Sequence, residues 1–160
     1  MLAQLHGGDC SPLDWSPDDA TLLALQEISI TESYLWSIDV ASRQQTLLTP
    51  KPAANTVAYT YGQYSKDGKS VYVITDFDSD FRRVARIDLE THRPTFLTSH
   101  IHWDISEAQL SPDGKTLAVV SNEDGKSTLH LLDAMSRREK PLRGFPPGYV
   151  IDLYWHRKDD

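Results

Sequence analysis

Three Gly-Lys-Ser/Thr triplets, Gly68-Lys-Ser70, Gly114-Lys-Thr116 and Gly125-Lys-Ser127, match the end of a phosphate-binding loop. Such a loop needs another glycine five positions upstream and a helix downstream, so that backbone N–H groups converge on phosphate. Gln63, Gln109 and Val120 stand upstream instead, and a run with strand character follows each triplet. The triplets therefore read as hairpin turns. His6-Gly7-Gly8 has the form of the oxyanion-hole loop of α/β-hydrolases, which acts only beside an activated serine. No Gly-x-Ser-x-Gly elbow accompanies it; Gly125-Lys-Ser-Thr-Leu129 comes nearest and lacks the second glycine. With no nucleophile, base and orienting carboxylate marked together, the expectation is no catalytic residue in this chain. Residues 6–8 then read as a flexible approach to the first folded unit.

Asp76-Phe-Asp-Ser-Asp80 imitates the first half of a calcium loop, but Phe81 and Ile87 stand where such a loop needs Gly and Glu. Its carboxylates read as solvated or paired with Arg82 or Arg83. His100-Ile-His102 offers two imidazoles where zinc wants three or four ligands, so it reads as linker. The expectation is no metal and no cofactor. Trp15, Trp36, Trp103 and Trp155 could form an aromatic platform, although Trp15 and Trp155 recur at matching places and fit packing better. Glu107 sits where it could face a central channel.

The 160 residues hold 16 Lys and Arg against 23 Asp and Glu, a formal charge of -7. That balance argues against nucleic acid, whose phosphates call for a basic face. No apolar run approaches the ~20 residues of a membrane helix, and no signal peptide is visible at the start. Cys10, the single cysteine, excludes an internal disulfide. These features describe a soluble acidic chain and leave the compartment open between cytoplasm and periplasm.

The elements that would position such residues show themselves as a repeat. Ser16-Pro17-Asp18-Asp19, Ser65-Lys66-Asp67-Gly68 and Ser111-Pro112-Asp113-Gly114 begin 49 and 46 positions apart. Leu35-Trp-Ser-Ile-Asp39, Val84-Ala-Arg-Ile-Asp88 and Leu129-His-Leu-Leu-Asp133 follow, with 23, 23 and 22 positions from serine to aspartate. Leu47-Leu48-Thr49, Phe96-Leu97-Thr98 and, more weakly, Pro141-Leu142-Arg143 close each unit. Each unit reads as four short strands joined by tight turns, the dimension of one β-propeller blade. Residues 133–139 could form a helical turn or two, but their counterparts link strands, and a turn is expected. The units run approximately over 11–50, 58–99 and 104–143, within a partial propeller spanning 1–160. A fourth unit opens at 149–160, with Leu153-Tyr154-Trp155-His156 matching Leu13-Asp14-Trp15-Ser16. Closed propellers have about four to eight blades, so the chain is expected to be a piece of a longer protein, a reading preferred to one in which it completes its ring with other chains.

The stretch Ser-Pro-Asp-Gly-Lys-Thr-Leu-Ala-Val-Val at 111–120, followed by Leu129-His-Leu-Leu-Asp133, resembles the WD40-like repeat called PD40. That repeat occurs in TolB-type proteins and in propellers of prolyl oligopeptidase-family (S9) serine peptidases. Residues 28–39 and 101–113 resemble the dipeptidyl- and acylaminoacyl-peptidase branch. True WD40 is disfavoured, because Ile38-Asp39, Ile87-Asp88 and Leu132-Asp133 replace its Trp-Asp pair. Ser42-Arg43, Thr91-His92 and Ser136-Arg137 replace the usual Thr-Gly, which puts that turn's geometry in question. The resemblance implies an all-β propeller segment whose parent carries a C-terminal α/β-hydrolase domain and acts on short peptides. The other class it leaves open is a TolB-like interaction propeller without enzymatic activity. As a fragment, the chain is expected to leave Leu23, Leu25, Val119 and Leu131 on uncovered terminal faces.

Overall fold

The computed structural model describes residues 5–49, 56–142, 144, 146 and 148–156. Its strands in chain order are β1 (Asp9–Trp15), β2 (Thr21–Ser29), β3 (Glu32–Asp39), β4 (Gln45–Leu47), β5 (Tyr59–Tyr64), β6 (Ser70–Thr75), β7 (Arg83–Asp88), β8 (Pro94–Phe96), β9 (Ile105–Leu110), β10 (Thr116–Glu123), β11 (Lys126–Asp133) and β12 (Glu139–Lys140). They form three four-stranded antiparallel sheets, each an unbroken meander in sequence order. No helix occurs among the described residues, and 133–139 holds a turn.

The repeated serine and aspartate build the turn between the first two strands of every sheet. Ser16 Oγ donates to Asp18 Oδ1 at 2.6 Å and accepts the Thr21 N–H at 2.8 Å. Ser65 does the same with Asp67 (2.6 Å) and Ser70 (3.0 Å), as does Ser111 with Asp113 (2.6 Å) and Thr116 (2.9 Å). The fourth turn residue, Asp19, Gly68 or Gly114, takes φ of 57, 68 or 73°, where glycine meets least resistance.

A second local device joins the last two strands. Asp39 Oδ1 accepts both the N–H and the hydroxyl of Ser42 at 2.7 Å. Asp88 with Thr91, and Asp133 with Ser136, repeat it. The next residues, Arg43, His92 and Arg137, adopt φ of 62, 57 and 63°. The turn thus keeps the left-handed geometry that glycine would favour, with side chains bearing Cβ in its place. A left-handed non-glycine costs about 1–2 kcal/mol, partly offset because glycine loses ~0.5–1 kcal/mol more entropy on folding. Arg43→Gly, His92→Gly and Arg137→Gly should each raise stability by ~0.5–1 kcal/mol. Urea midpoints that fall in these variants would contradict that account.

The sheets stack through their broad faces. Leu23, Leu25 and Leu35 of the first sheet share a core with Val71, Val73 and Ile87 of the second. Tyr72, Ile74 and Val84, on the second sheet's other face, meet Leu117, Val119 and Leu132 of the third. The first strands of successive sheets, β1, β5 and β9, adjoin one another. Four-stranded meanders stacked in this way are a β-propeller fragment.

The stacking corrects the expected terminal faces. Leu23, Leu25 and Val119 are sealed between sheets, whereas Leu131 is half-buried on the outer face. Strand alternation puts Ala24, Gln26 and Trp36 on the first sheet's outer face, and Ala118, Val120, Leu129 and Leu131 on the third's. The unit expected to open at 149–160 forms no strand over its described residues 149–156. Arg143 and residues 157–160 lie outside the described residues.

Candidate functional site

The first strand of each sheet, the inner strand (β1, β5 and β9), presents polar side chains, two of which bond to the next sheet. Asp14 on β1 accepts the Tyr64 N–H of β5 through Oδ2 at 2.8 Å. Burial pushes the Asp14 carboxyl above its ordinary range, against the backbone donors of Tyr64 and Trp15. At the matching place on β5, Gln63 Oε1 accepts the Leu110 N–H of β9 at 2.9 Å, and the Tyr61 hydroxyl as well. Glu107 on β9 is pushed upward by burial and then by the nearby Asp152 carboxylate. Beside these strands runs an open cleft of about 990 Å³, whose walls include Gln63, Lys66, Gln109, Asp113, Trp155 and His156. It offers amide, ammonium and carboxyl groups beside two aromatic rings.

A second cluster has the connectivity of a hydrolytic triad. Ser121 Oγ lies 2.9 Å from His130 Nε2, and His130 Nδ1 lies 2.8 Å from Glu139 Oε1. Two features disarm it. Ser121 is 0% exposed, so no substrate carbonyl reaches its hydroxyl. That hydroxyl has one proton, and Glu123 Oε1 accepts it at 2.7 Å in competition with the imidazole. A general base must hold that proton unshared to activate the oxygen. The group instead ties β10, β11 and β12 together. The sequence does signal it: Asp124 and Gly125 (φ 52 and 79°) form a two-residue hairpin loop, and counting back along both strands puts Ser121 and His130 diagonally across one face.

The remaining motifs have structural work. Gln26 Nε2 donates to the carbonyls of His6 and Gly7 at 2.9 and 2.8 Å, so the His-Gly-Gly segment is pinned to the first sheet rather than loose. Gln26 Oε1 in turn accepts the Trp36 indole N–H at 2.9 Å. In the aspartate loop, Arg83 donates to the carbonyls of Phe77 and Asp78, at 2.8 and 3.1 Å, while its guanidinium lies over Phe96. Asp76 Oδ1 accepts the Ala58 N–H at 2.8 Å. Of the two expectations for these carboxylates, solvation holds for the exposed Asp78 and Asp80, while Arg83 bonds backbone carbonyls and not a carboxylate. His100 and His102 are exposed. No cluster of three or more metal-ligating side chains occurs among the described residues. Trp15 lies beside Leu22 on the first sheet's outer face and is 49% exposed, and Trp103 is 42% exposed.

The turn aspartates give the protein an acid limit. Asp18, Asp67 and Asp113 are held below their ordinary value of 3.8 by the serine hydroxyls, and Asp39, Asp88 and Asp133 by backbone N–H groups. A depressed carboxyl adds stability above its unfolded pKa and loses it as pH falls through the lower folded value. Raised Asp14 and Glu107 act oppositely, gaining as pH falls through their folded values. Stability should therefore hold or rise slightly from pH 7 to about 5, then fall from about 4 to 2. Urea midpoints that stay level between those last two values would contradict the turn assignments.

No protein-family model matches the chain, and no curated protein does. Solved structures do. A TolB-like protein from Agrobacterium tumefaciens superposes with TM-score 0.70 at 18% identity, over 85% of this chain and 50% of that one. TolB from Acinetobacter baumannii gives 0.66 and 19%, over 83% and 32%. A puromycin-hydrolyzing peptidase of Mycobacterium tuberculosis gives 0.68 and 16%, over 89% and 22%. At these identities the likeness is one of fold, and the chain spans between 22% and 50% of those three proteins.

Proposed function

We propose that the chain is a non-catalytic propeller segment of an S9-type serine peptidase. In this reading a C-terminal α/β-hydrolase domain of the same protein supplies the nucleophile, and the propeller restricts access to short peptides and shapes their cavity. The remaining blades complete the ring. The observation that carries the non-catalytic part is the burial of Ser121, whose hydroxyl is already engaged by Glu123. Residues 28–39 and 101–113 support the peptidase parent through their resemblance to the dipeptidyl- and acylaminoacyl-peptidase branch. The second reading is a TolB-like protein-interaction propeller without enzymatic activity, favoured by the half-length superposition on the Agrobacterium protein.

Chromogenic aminoacyl and dipeptidyl substrates separate these readings. The full-length protein should hydrolyse them, while residues 1–160 alone should not, with or without Ser121→Ala. Turnover by residues 1–160 that disappears in Ser121→Ala would overturn the non-catalytic assignment. An inactive full-length protein with no serine elbow after the propeller would leave the TolB-like reading standing.

A further inference from the structure

The side-chain bonds between inner strands form a series with one unfilled place. Asp14 takes the N–H of Tyr64, and Gln63 takes that of Leu110. Gln109, next in the series on β9, keeps its Oε1 buried with no donor. A buried amide oxygen without a partner carries the whole desolvation cost of the group. The first two cases show what the position is built to receive: a backbone N–H from the inner strand of the following blade.

A second, independent contact identifies that strand. At the junction of the first two sheets, the Ser33 N–H donates to the Val57 carbonyl at 3.0 Å, and Ser33 Oγ accepts the Tyr59 N–H at 2.6 Å. After the third sheet, the Ser127 N–H donates to the Gly148 carbonyl at 2.9 Å, and Ser127 Oγ accepts the Val150 N–H at 2.9 Å. Val150 thus occupies the place of Tyr59. Five residues beyond Tyr59 is Tyr64, which donates to Asp14; five beyond Val150 is Trp155. Five beyond Ile105, the first residue of β9, is likewise Leu110, which donates to Gln63. The buried residues Tyr59, Gly62 and Tyr64 recur in register as Val150, Leu153 and Trp155. At present the Trp155 indole, not its backbone, reaches the Gln109 carbonyl at 3.2 Å. Leu153 and Trp155 border a groove with Ala118, Leu129 and Leu131.

We infer that the outer face of the third sheet is the seat of a fourth blade of this same chain, with residues 150–155 as its inner strand and the Trp155 N–H bonded to Gln109 Oε1. The inference rests on the reading of the chain as part of a longer propeller, and it adds the register and the seat. Gln109→Leu and Gln63→Leu, compared in residues 1–160 and in the natural full-length protein, test it. Gln63→Leu should lower the urea midpoint at both lengths, by about 0.5 M or more. Gln109→Leu should leave residues 1–160 unchanged or more stable, and should lower the midpoint of full-length protein as Gln63→Leu does. Amide hydrogen exchange gives a measure independent of variant folding: the Trp155 N–H should exchange at least ~100-fold more slowly in the full-length protein. An unprotected Trp155 amide in a full-length protein that does contain further blades would overturn the seat and leave the propeller reading intact. Protection arising in residues 1–160 only by dimerisation would assign the face to a second copy instead. A natural chain with no further repeat would overturn both.

Discussion

Gly62→Val should destabilise the protein by ~3 kcal/mol, at the upper end of what overpacking a core costs. A Cβ at position 62 would lie 2.7 Å from both Leu13 Cδ1 and Leu23 Cδ2, at the point where β5 crosses the first sheet. Leu23 is fully buried and has little room to give way. Ala108 holds the matching place on β9, so the requirement belongs to this one junction and not to the repeat. Gly62→Ala should cost ~1 kcal/mol, because the leucine methyl groups can shift by a fraction of an ångström but not by the width of an isopropyl group. Gly148→Val serves as the control, since a Cβ there meets nothing within 4 Å. Equal urea midpoints for the Gly62→Val and Gly148→Val proteins would show that the sheets are not packed as closely as described.

The parts of the fold legible in the sequence are those built by local bonds. The Ser-x-Asp turn and the aspartate turn each use a side chain to hold a backbone only a few residues away. Their residue types are therefore fixed, and their spacing marks the blades. Face parity was not legible for a different reason. The second strands are buried on both sides, as Leu23-Ala-Leu25, Val71-Tyr-Val-Ile74 and Leu117-Ala-Val-Val120 show. Such a run has no polar alternation to say which residue faces which neighbour, and a one-residue choice transfers the entire set. That is why Leu23 and Val119 were expected outside. The inner-strand bonds escaped for a third reason: Asp14 and Tyr64, or Gln63 and Leu110, meet only once whole blades have stacked. An aspartate in one blade and a glutamine in the next, serving one role, also leave no common residue to notice.

At micromolar concentrations and above, the protein of residues 1–160 should self-associate. Its third sheet presents Leu129 and Leu131 on a face that no fourth sheet covers, and its first sheet presents Trp36 on the opposite end. Residues 149–155 add Tyr149, Ile151 and Tyr154, which are 75, 74 and 83% exposed. They also add backbone groups outside any ladder. Apolar faces and unpaired backbone in this combination draw chains together. The net charge of -7 opposes association only over about a Debye length, ~8 Å at physiological salt, so raising the salt should strengthen it. Leu129→Glu together with Leu131→Glu should reduce it, because two charges would then be desolvated at the contact without partners. In the full-length protein, a fourth blade would cover that face and the same substitutions would damage folding instead. Size-exclusion chromatography with light scattering distinguishes these outcomes. A monodisperse monomer of 18.1 kDa at all concentrations, unfolding in one sharp transition, would mean that three blades close their own ends well enough. The uncovered face would then be a finished surface, and the physical case for further blades would rest on Gln109 and the Ser127–Val150 junction.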